Sequence, residues 1–305
     1  MHIVPMRISN CIVCAEHAYF RVTVMDSKRA DLHPVMHTER HSRGETLSEL
    51  VDSYQATGRY VLTRDQALEA LSISDEALKK AVQRLVAKRR LAVPRRGFFV
   101  IVPMEYREAG APPPAWFIDD LMKFCGQPYY VGLLSAAALH GAAHHQPQEF
   151  QVVTNKQLRP AVAGRARLRF FRKRHIEHVP TMEMKTETGA IRVSTPEATA
   201  LDLLRYIEGA GHLGNVTTVL AELAEKTDGQ RLVAIAKLEG EISNAQRLGH
   251  ILDQVGASEL GAALAAWVAE QHPRFVPLRS DRSVRRAAKD ARWHVLVNEK
   301  VEAET

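Results

Sequence analysis

Three short amphipathic helices followed by a β-hairpin with arginines at its turn is the order written between residues 46 and 103, and few folds accept it. TLSELVDSYQATG places Leu47, Leu50, Val51 and Tyr54 at helical spacing, with Gly58 as its stop. TRDQALEALS follows, with Thr63 as N-cap and Ala67, Leu68 and Leu71 on one face. The third helix, SDEALKKAVQRLVAKRR, opens at Ser74 with Asp75 and Glu76 in its first turn, where the helix dipole favours acids, and its core stripe is Leu78, Ala81, Val82, Leu85 and Val86. The hairpin is LAVPRRGFFVIVP, residues 91–103. Adjacent like charges repel, so a tip that served only to close a core would be better made of neutral turn residues. Arg95 and Arg96 therefore point to an anion outside the chain.

This element order is that of a winged helix-turn-helix, in which the third helix enters the major groove and the hairpin lies against the DNA backbone or minor groove. The charges agree with that geometry: no acidic residue occurs from position 77 to 104. The expected DNA contacts are Lys79, Lys80, Gln83 and Arg84 on the polar face of the third helix, Lys88 and Arg89 at its end, and Arg95 and Arg96 at the hairpin tip. A charge run alone is also what an ordinary solvated face looks like; here helix order, hairpin and charge placement coincide.

The chain has 305 residues, enough for about two domains. Forty-one basic against 35 acidic residues give +6, which permits an anionic partner without requiring one. No run approaches the roughly 18 uninterrupted apolar residues of a membrane span, and the first residues lack a signal peptide's apolar stretch, so a cytoplasmic protein with no membrane partner is expected. Cys11 and Cys14 form a CxxC followed by His17, His33, His37 and His41, but no second CxxC appears and the histidines keep no ligand spacing. Neither a metal nor a cofactor is expected. Residues 1–44 read as a weakly structured extension, with Met25 and Met36 as alternative starts; residues 45–107 as the winged helix; residues 108–114, EAGAPPP, as a proline-rich linker; and residues 115–305 as a larger domain.

That larger domain mixes helices with strands at FQVVT, ARLRFFRKR, IRVS and RWHVLV, then turns mostly helical from Gly209 onward. The fold class expected is α+β: an N-terminal winged helix-turn-helix followed by a larger mixed α/β domain with a helical second half. No catalytic residue is assigned. Ser135, His140, His144 and His145 lie near one another in sequence, yet no nucleophile elbow is present and HGAAHH lacks the glutamate of a zinc-protease helix. STPEATALDLL reads as a helix start, capped either by Ser194 with Glu197 or by Thr195 ahead of Pro196. Asp202 is a candidate functional carboxylate, but a single Glu/Asp pair on a helix face is far more often structural or solvated, and the chain contains no Gly-Ser dipeptide of the nucleotidyltransferase kind. An enzyme is not expected. A second basic tract carries Arg165, Arg167, Arg169, Arg172, Lys173 and Arg174, together with Lys156 and Arg159, with no acid between Phe150 and Ile176. It offers phosphate contacts to DNA, or a surface for RNA, or a strand edge protected by charge.

TRDQALEAL, RRGFFVIVP, YYVGLLSAAALHGAAHHQPQEFQVVT, IRVSTPEATALDLL and RWHVLVNEKVE together resemble the AbiEi-type antitoxins of type IV toxin-antitoxin systems, over roughly residues 46–300. The resemblance implies a DNA-binding autorepressor acting on the operator of its own operon. It also implies a C-terminal domain that counters a nucleotidyltransferase toxin in phage defence, with or without direct contact. Two alternatives remain at this point: a winged-helix DNA-processing enzyme with a nuclease-like C-terminal domain, which needs two or three carboxylates and a lysine around a metal, and a free-standing ligand-sensing transcriptional regulator.

Overall fold

The N-terminal elements follow the caps written in the sequence. Helix α1 (Leu47–Ala56) starts at Thr46, whose hydroxyl accepts the Glu49 N–H while the Glu49 carboxylate accepts the Thr46 N–H. Strand β1 (Val61–Thr63) runs into helix α2 (Arg64–Leu71), which Thr63 and Gln66 cap in the same reciprocal way. Helix α3 (Asp75–Ala87) is capped by Ser74. Strands β2 (Leu91–Arg95) and β3 (Phe98–Ile101) form the hairpin, and Gly97 at its turn has φ +82°, a left-handed value that costs glycine little. The three strands pair antiparallel in the order β1-β3-β2. The pairing shifts between Ala92 and Arg95, where Pro94 has no N–H to contribute.

The computed structural model describes residues 46–142 and 147–301. The extension expected over residues 1–44, with Cys11, Cys14 and His17, and the histidines His144 and His145 lie outside the described residues.

From residue 115 onward the chain builds a six-stranded mixed sheet. Its elements in order are α4 (Ile118–Phe124), β4 (Tyr129–Val131), α5 (Leu133–Leu139), β5 (Phe150–Thr154), β6 (Ala161–Ala163), β7 (Ala166–Arg172), β8 (Thr181–Thr186) and β9 (Gly189–Ser194). The strand order is β6-β7-β5-β4-β9-β8, with β5/β7 and β4/β9 parallel and the other neighbours antiparallel. Helices α6 (Pro196–Arg205), α7 (His212–Ala224), α8 (Gly229–Glu239), α9 (Ile242–Gln254) and α10 (Ala262–Glu270) follow. A small sheet of β10 (Val276–Pro277), β11 (Ala288–Asp290) and β12 (Val295–Val297) ends the described chain. The fold is mixed α/β, with ten α-helices and three sheets among the described residues.

Period-two alternation decides where the cores lie. In the hairpin, Phe99 and Ile101 face α1–α3 and close a small core with Leu50, Leu62, Leu78 and Leu85. Phe98, Val100 and Val102 face the other way and join Phe117, Ile118, Leu121, Met122, Tyr129, Val131, Leu168 and Phe170 in a second core. On the far side of the six-stranded sheet, Tyr130 and Val153 face a third core made with α5–α10. Trp293 is fully buried there against Gly249, where an added Cβ would lie 2.1 Å from the indole, so α9 reaches the tryptophan only because that position has no side chain.

The segment EAGAPPP, expected as a proline-rich linker, packs against the rest of the chain. Ala111 is buried in the second core, the Ala109 carbonyl accepts the Arg165 N–H at 2.7 Å, and a Cβ at Gly164 would lie 2.3 Å from that same carbonyl oxygen. The proline-rich composition reads as a semi-rigid linker, but backbone packing on the β6–β7 turn holds it down. All described residues fall in one compact unit, and the helical part and the larger sheet share the second core. A chain beginning at residue 115 would uncover Phe117, Ile118, Leu121 and Met122. It is expected to bind a hydrophobic dye and aggregate, while the full chain melts in one transition by calorimetry. A soluble 115–305 fragment together with two resolved transitions would contradict the shared core.

Candidate functional site

The basic face expected on α3 is assembled as the helical spacing requires. Leu78 and Leu85 are buried, Ala81 and Val82 pack against them, and Lys79, Lys80, Gln83, Arg84, Lys88 and Arg89 are all exposed. Arg89 has φ +53° at the end of the helix and turns the chain toward β2. Arg90 belongs to the packing instead: it donates to the Ser48 hydroxyl at 2.6 Å and pairs with Asp52, tying the end of α3 to α1. Arg96 is exposed at the hairpin tip beside the start of α3. The Asp75 carboxyl there is held below the usual carboxylate range mainly by a hydrogen bond from Arg64, with Arg96 and Lys79 adding to it.

Arg95 departs from the expectation that both tip arginines face outward. It is half-buried, donates to the Arg159 carbonyl ahead of β6, and holds its guanidinium 5.5 Å from the centre of the Phe170 ring. The reason lies in the hairpin's second face. With Phe98 and Val100 packed on the larger sheet, the residue preceding the turn on that side meets the sheet rather than solvent.

The second basic tract divides likewise. Arg165, Arg167, Arg169, Arg172 and Arg174 are exposed, with Arg165 pairing Glu108 at 3.2 Å and Arg169 pairing Glu149 at 3.3 Å. Lys173 is not part of that surface. Its ammonium lies beneath it, 2.7 Å from Asp202 of α6 and 2.5 Å from Glu239 at the end of α8, and the Tyr130 hydroxyl donates to the other Asp202 oxygen at 2.7 Å. Asp202 is 0% exposed and Lys173 5%. Burial opposes the charged ammonium, but the two carboxylates outweigh it and hold Lys173 above its ordinary range. Burial pushes the Glu239 carboxyl up against the pull of Lys173. Burial, and then the Asp202 charge, push the Tyr130 hydroxyl well up. Two carboxylates and a lysine are the set that a nuclease reading requires, and here they are paired with one another. Lys173 and Glu239 also help to line a cleft of roughly 680 Å³, together with Arg172, Arg174, His175, His178 and Arg205.

Residues 130–254 match the family described as the AbiEi antitoxin C-terminal domain. This part of the chain is an AbiEi-type antitoxin domain. The two most specific motifs of the resemblance, GLLSAAALHGAAHHQPQ and STPEATALDLL, both lie inside the match, which supports an antitoxin role in a toxin-antitoxin system. A crystal structure of the RV2827C protein from Mycobacterium tuberculosis is similar at TM-score 0.61 and 17% identity, covering 81% of this chain and 89% of that one. At that identity the likeness shows the fold. A comparison with curated proteins finds no match.

Within the AbiEi domain the two motifs hold the sheet to its helices. Gln151 of β5 accepts the Leu134 N–H at 2.9 Å, donates to the Gly209 carbonyl at 2.7 Å, and has its own N–H taken by Ser135 at 2.8 Å. His140 contacts the Ser194 carbonyl at 2.7 Å, and Ser194 shares a 2.7 Å hydrogen bond with Thr199. Of the two caps read for α6, Thr195 is the one adopted, with Pro196 at the first helical position. Sequence reasoning missed Tyr130 and Glu239 altogether. The available signal was Asp202 itself, a carboxylate in the apolar run TALDLL that needs a buried cation.

Replacing Lys173 with methionine leaves two buried carboxylates without their cation and is expected to cost about 3–5 kcal/mol. Tyr130→Phe removes a single donor and should cost about 1–3 kcal/mol. Urea denaturation measures both, and a Lys173→Met protein as stable as the parent would show that the carboxylates do not depend on the ammonium.

Proposed function

We propose that this chain is a DNA-binding autorepressor and antitoxin, in which residues 45–107 act as a winged helix-turn-helix on the operator of its own operon. The C-terminal domain then counters a nucleotidyltransferase toxin in a type IV, phage-defence setting. The observation that carries the DNA reading is the exposed cationic face of α3, with Arg96 beside its start, in a span that has no acid from 77 to 104. The β1-β3-β2 sheet supports it, because a hairpin in that position is where such a module carries its wing. In this reading Gln83 and Arg84 read base edges, and Lys79, Lys80, Lys88, Arg89 and Arg96 hold phosphates. Arg95 is a packing residue in this reading. Arg165, Arg167, Arg169, Arg172 and Arg174 extend the cationic surface onto the larger sheet, where they can follow the backbone of DNA or of an RNA.

The antitoxin role is tested by inducing the adjacent toxin reading frame from a foreign promoter, with and without this chain, and scoring growth. For the DNA face, Arg96→Ala should weaken binding to all sequences and lower the salt slope by about 1, while Gln83→Ala should cost about 1–3 kcal/mol on the operator alone. Arg95→Ala should lower the melting temperature and leave the salt slope unchanged. Equal slopes for the Arg95 and Arg96 variants by fluorescence anisotropy would refute this division of the hairpin tip.

A further inference from the structure

Three ligand-type side chains converge on one short turn that none of these roles uses. In RHIEHV, residues 174–179, Ile176 and Val179 are buried in the third core and fix the 3-10 turn Ile176–His178 from below, leaving His175, Glu177 and His178 exposed and turned outward. His175 Nδ1 lies 3.5 Å from Glu177 Oε1, and His178 Nε2 lies 3.7 Å from the same oxygen. All three ligand atoms fall within 4.8 Å of one another. An ion bound tetrahedrally at about 2.0–2.1 Å holds its ligand atoms about 3.3 Å apart, so the tripod needs only small side-chain rotations to close on one.

We propose that His175, Glu177 and His178 form a binding site for a transition-metal ion of the zinc class, with three protein ligands and the remaining position open toward the cleft that His175 and His178 help to line. Its surroundings select the class of ion. Arg172 and Arg174 line the same cleft and oppose a cation held by charge alone, which disfavours magnesium and calcium, ions that also demand several oxygen ligands. Two imidazoles and a carboxylate suit zinc and its neighbours, whose bonds to nitrogen do not rest on net charge. If Glu177 only pairs with the two imidazoles, the turn takes up no metal.

The test uses the untagged full-length chain carrying Cys11→Ser and Cys14→Ser, so that the N-terminal CxxC contributes nothing. Zinc titrated calorimetrically should bind at one equivalent in the micromolar range, cobalt should give the visible absorption of a four-coordinate site, and magnesium should give no heat. His178→Ala and Glu177→Gln should each weaken zinc at least about tenfold, the loss caused even by removing an outer-shell partner. Both variants should keep the parent's melting temperature in chelator, since these side chains are exposed. Zinc uptake unchanged by the two variants, or no saturable uptake at micromolar metal, would overturn the site.

Discussion

The two faces of a single hairpin hold this molecule together. Strand β3 has no solvent side: Phe99 and Ile101 close the helical core, while Phe98 and Val100 close the core on the larger sheet. Each large side chain buried in this way contributes about 1.5–3 kcal/mol, so neither half reaches its full stability without the other. The Phe98 and Phe124 rings, 5.3 Å apart, and the Arg64 N–H donated to the Gly97 carbonyl at 2.8 Å fix the tip between α2 and α4. The cationic face of α3 is thereby oriented with respect to the antitoxin domain by packing, not by a tether.

The buried charge of the antitoxin domain performs a similar service on the other side of the sheet. Lys173 leaves the end of β7, Asp202 comes from α6 and Glu239 from the end of α8, so the triad joins three elements that are distant in sequence. Removing three ionised groups from water is costly, and the geometry offsets that cost only because every group finds a partner. Such a cluster does more to specify one arrangement of helices on the sheet than to add net stability, and it leaves the arginines above it as the charges that face solvent.

Local signals in the sequence were legible wherever local physics decides. The caps at Thr63 and Ser74, the stripe on α3 and the strand at FQVVT all form as spacing and capping chemistry require. Strands β4, β6 and β8 escaped because two have three residues each and TMEMKT is an exposed edge whose only apolar residues are Met182 and Met184. Their pairing comes from the sheet, not from their own composition. FFVIV carried a further signal: an unbroken apolar run in a strand means both faces are buried, so the hairpin packs on the larger sheet as well as on the helices. EAGAPPP gave no comparable warning, because its contact is backbone against the backbone of Gly164, which composition does not encode.

The candidate surface was legible in its charge and illegible in its partners. Arg95 and Arg96 are identical letters side by side, yet one lies over Phe170 and the other faces solvent, since adjacent residues near a turn point to opposite sides and only the fold says which side is occupied. Lys173 makes the same point in a strand. Leu168 and Phe170 face the second core, so alternation turns Phe171 and Lys173 to the other face of the sheet, the face that also carries Arg167 and Arg169. Near the end of the strand the helices cover that face, so Lys173 meets Asp202 while Arg167 and Arg169 stay exposed. A basic tract therefore sets an upper bound on a cationic surface. What remains available to an anion is the tract minus those charges that the protein's own carboxylates, carbonyls and aromatic faces have already engaged.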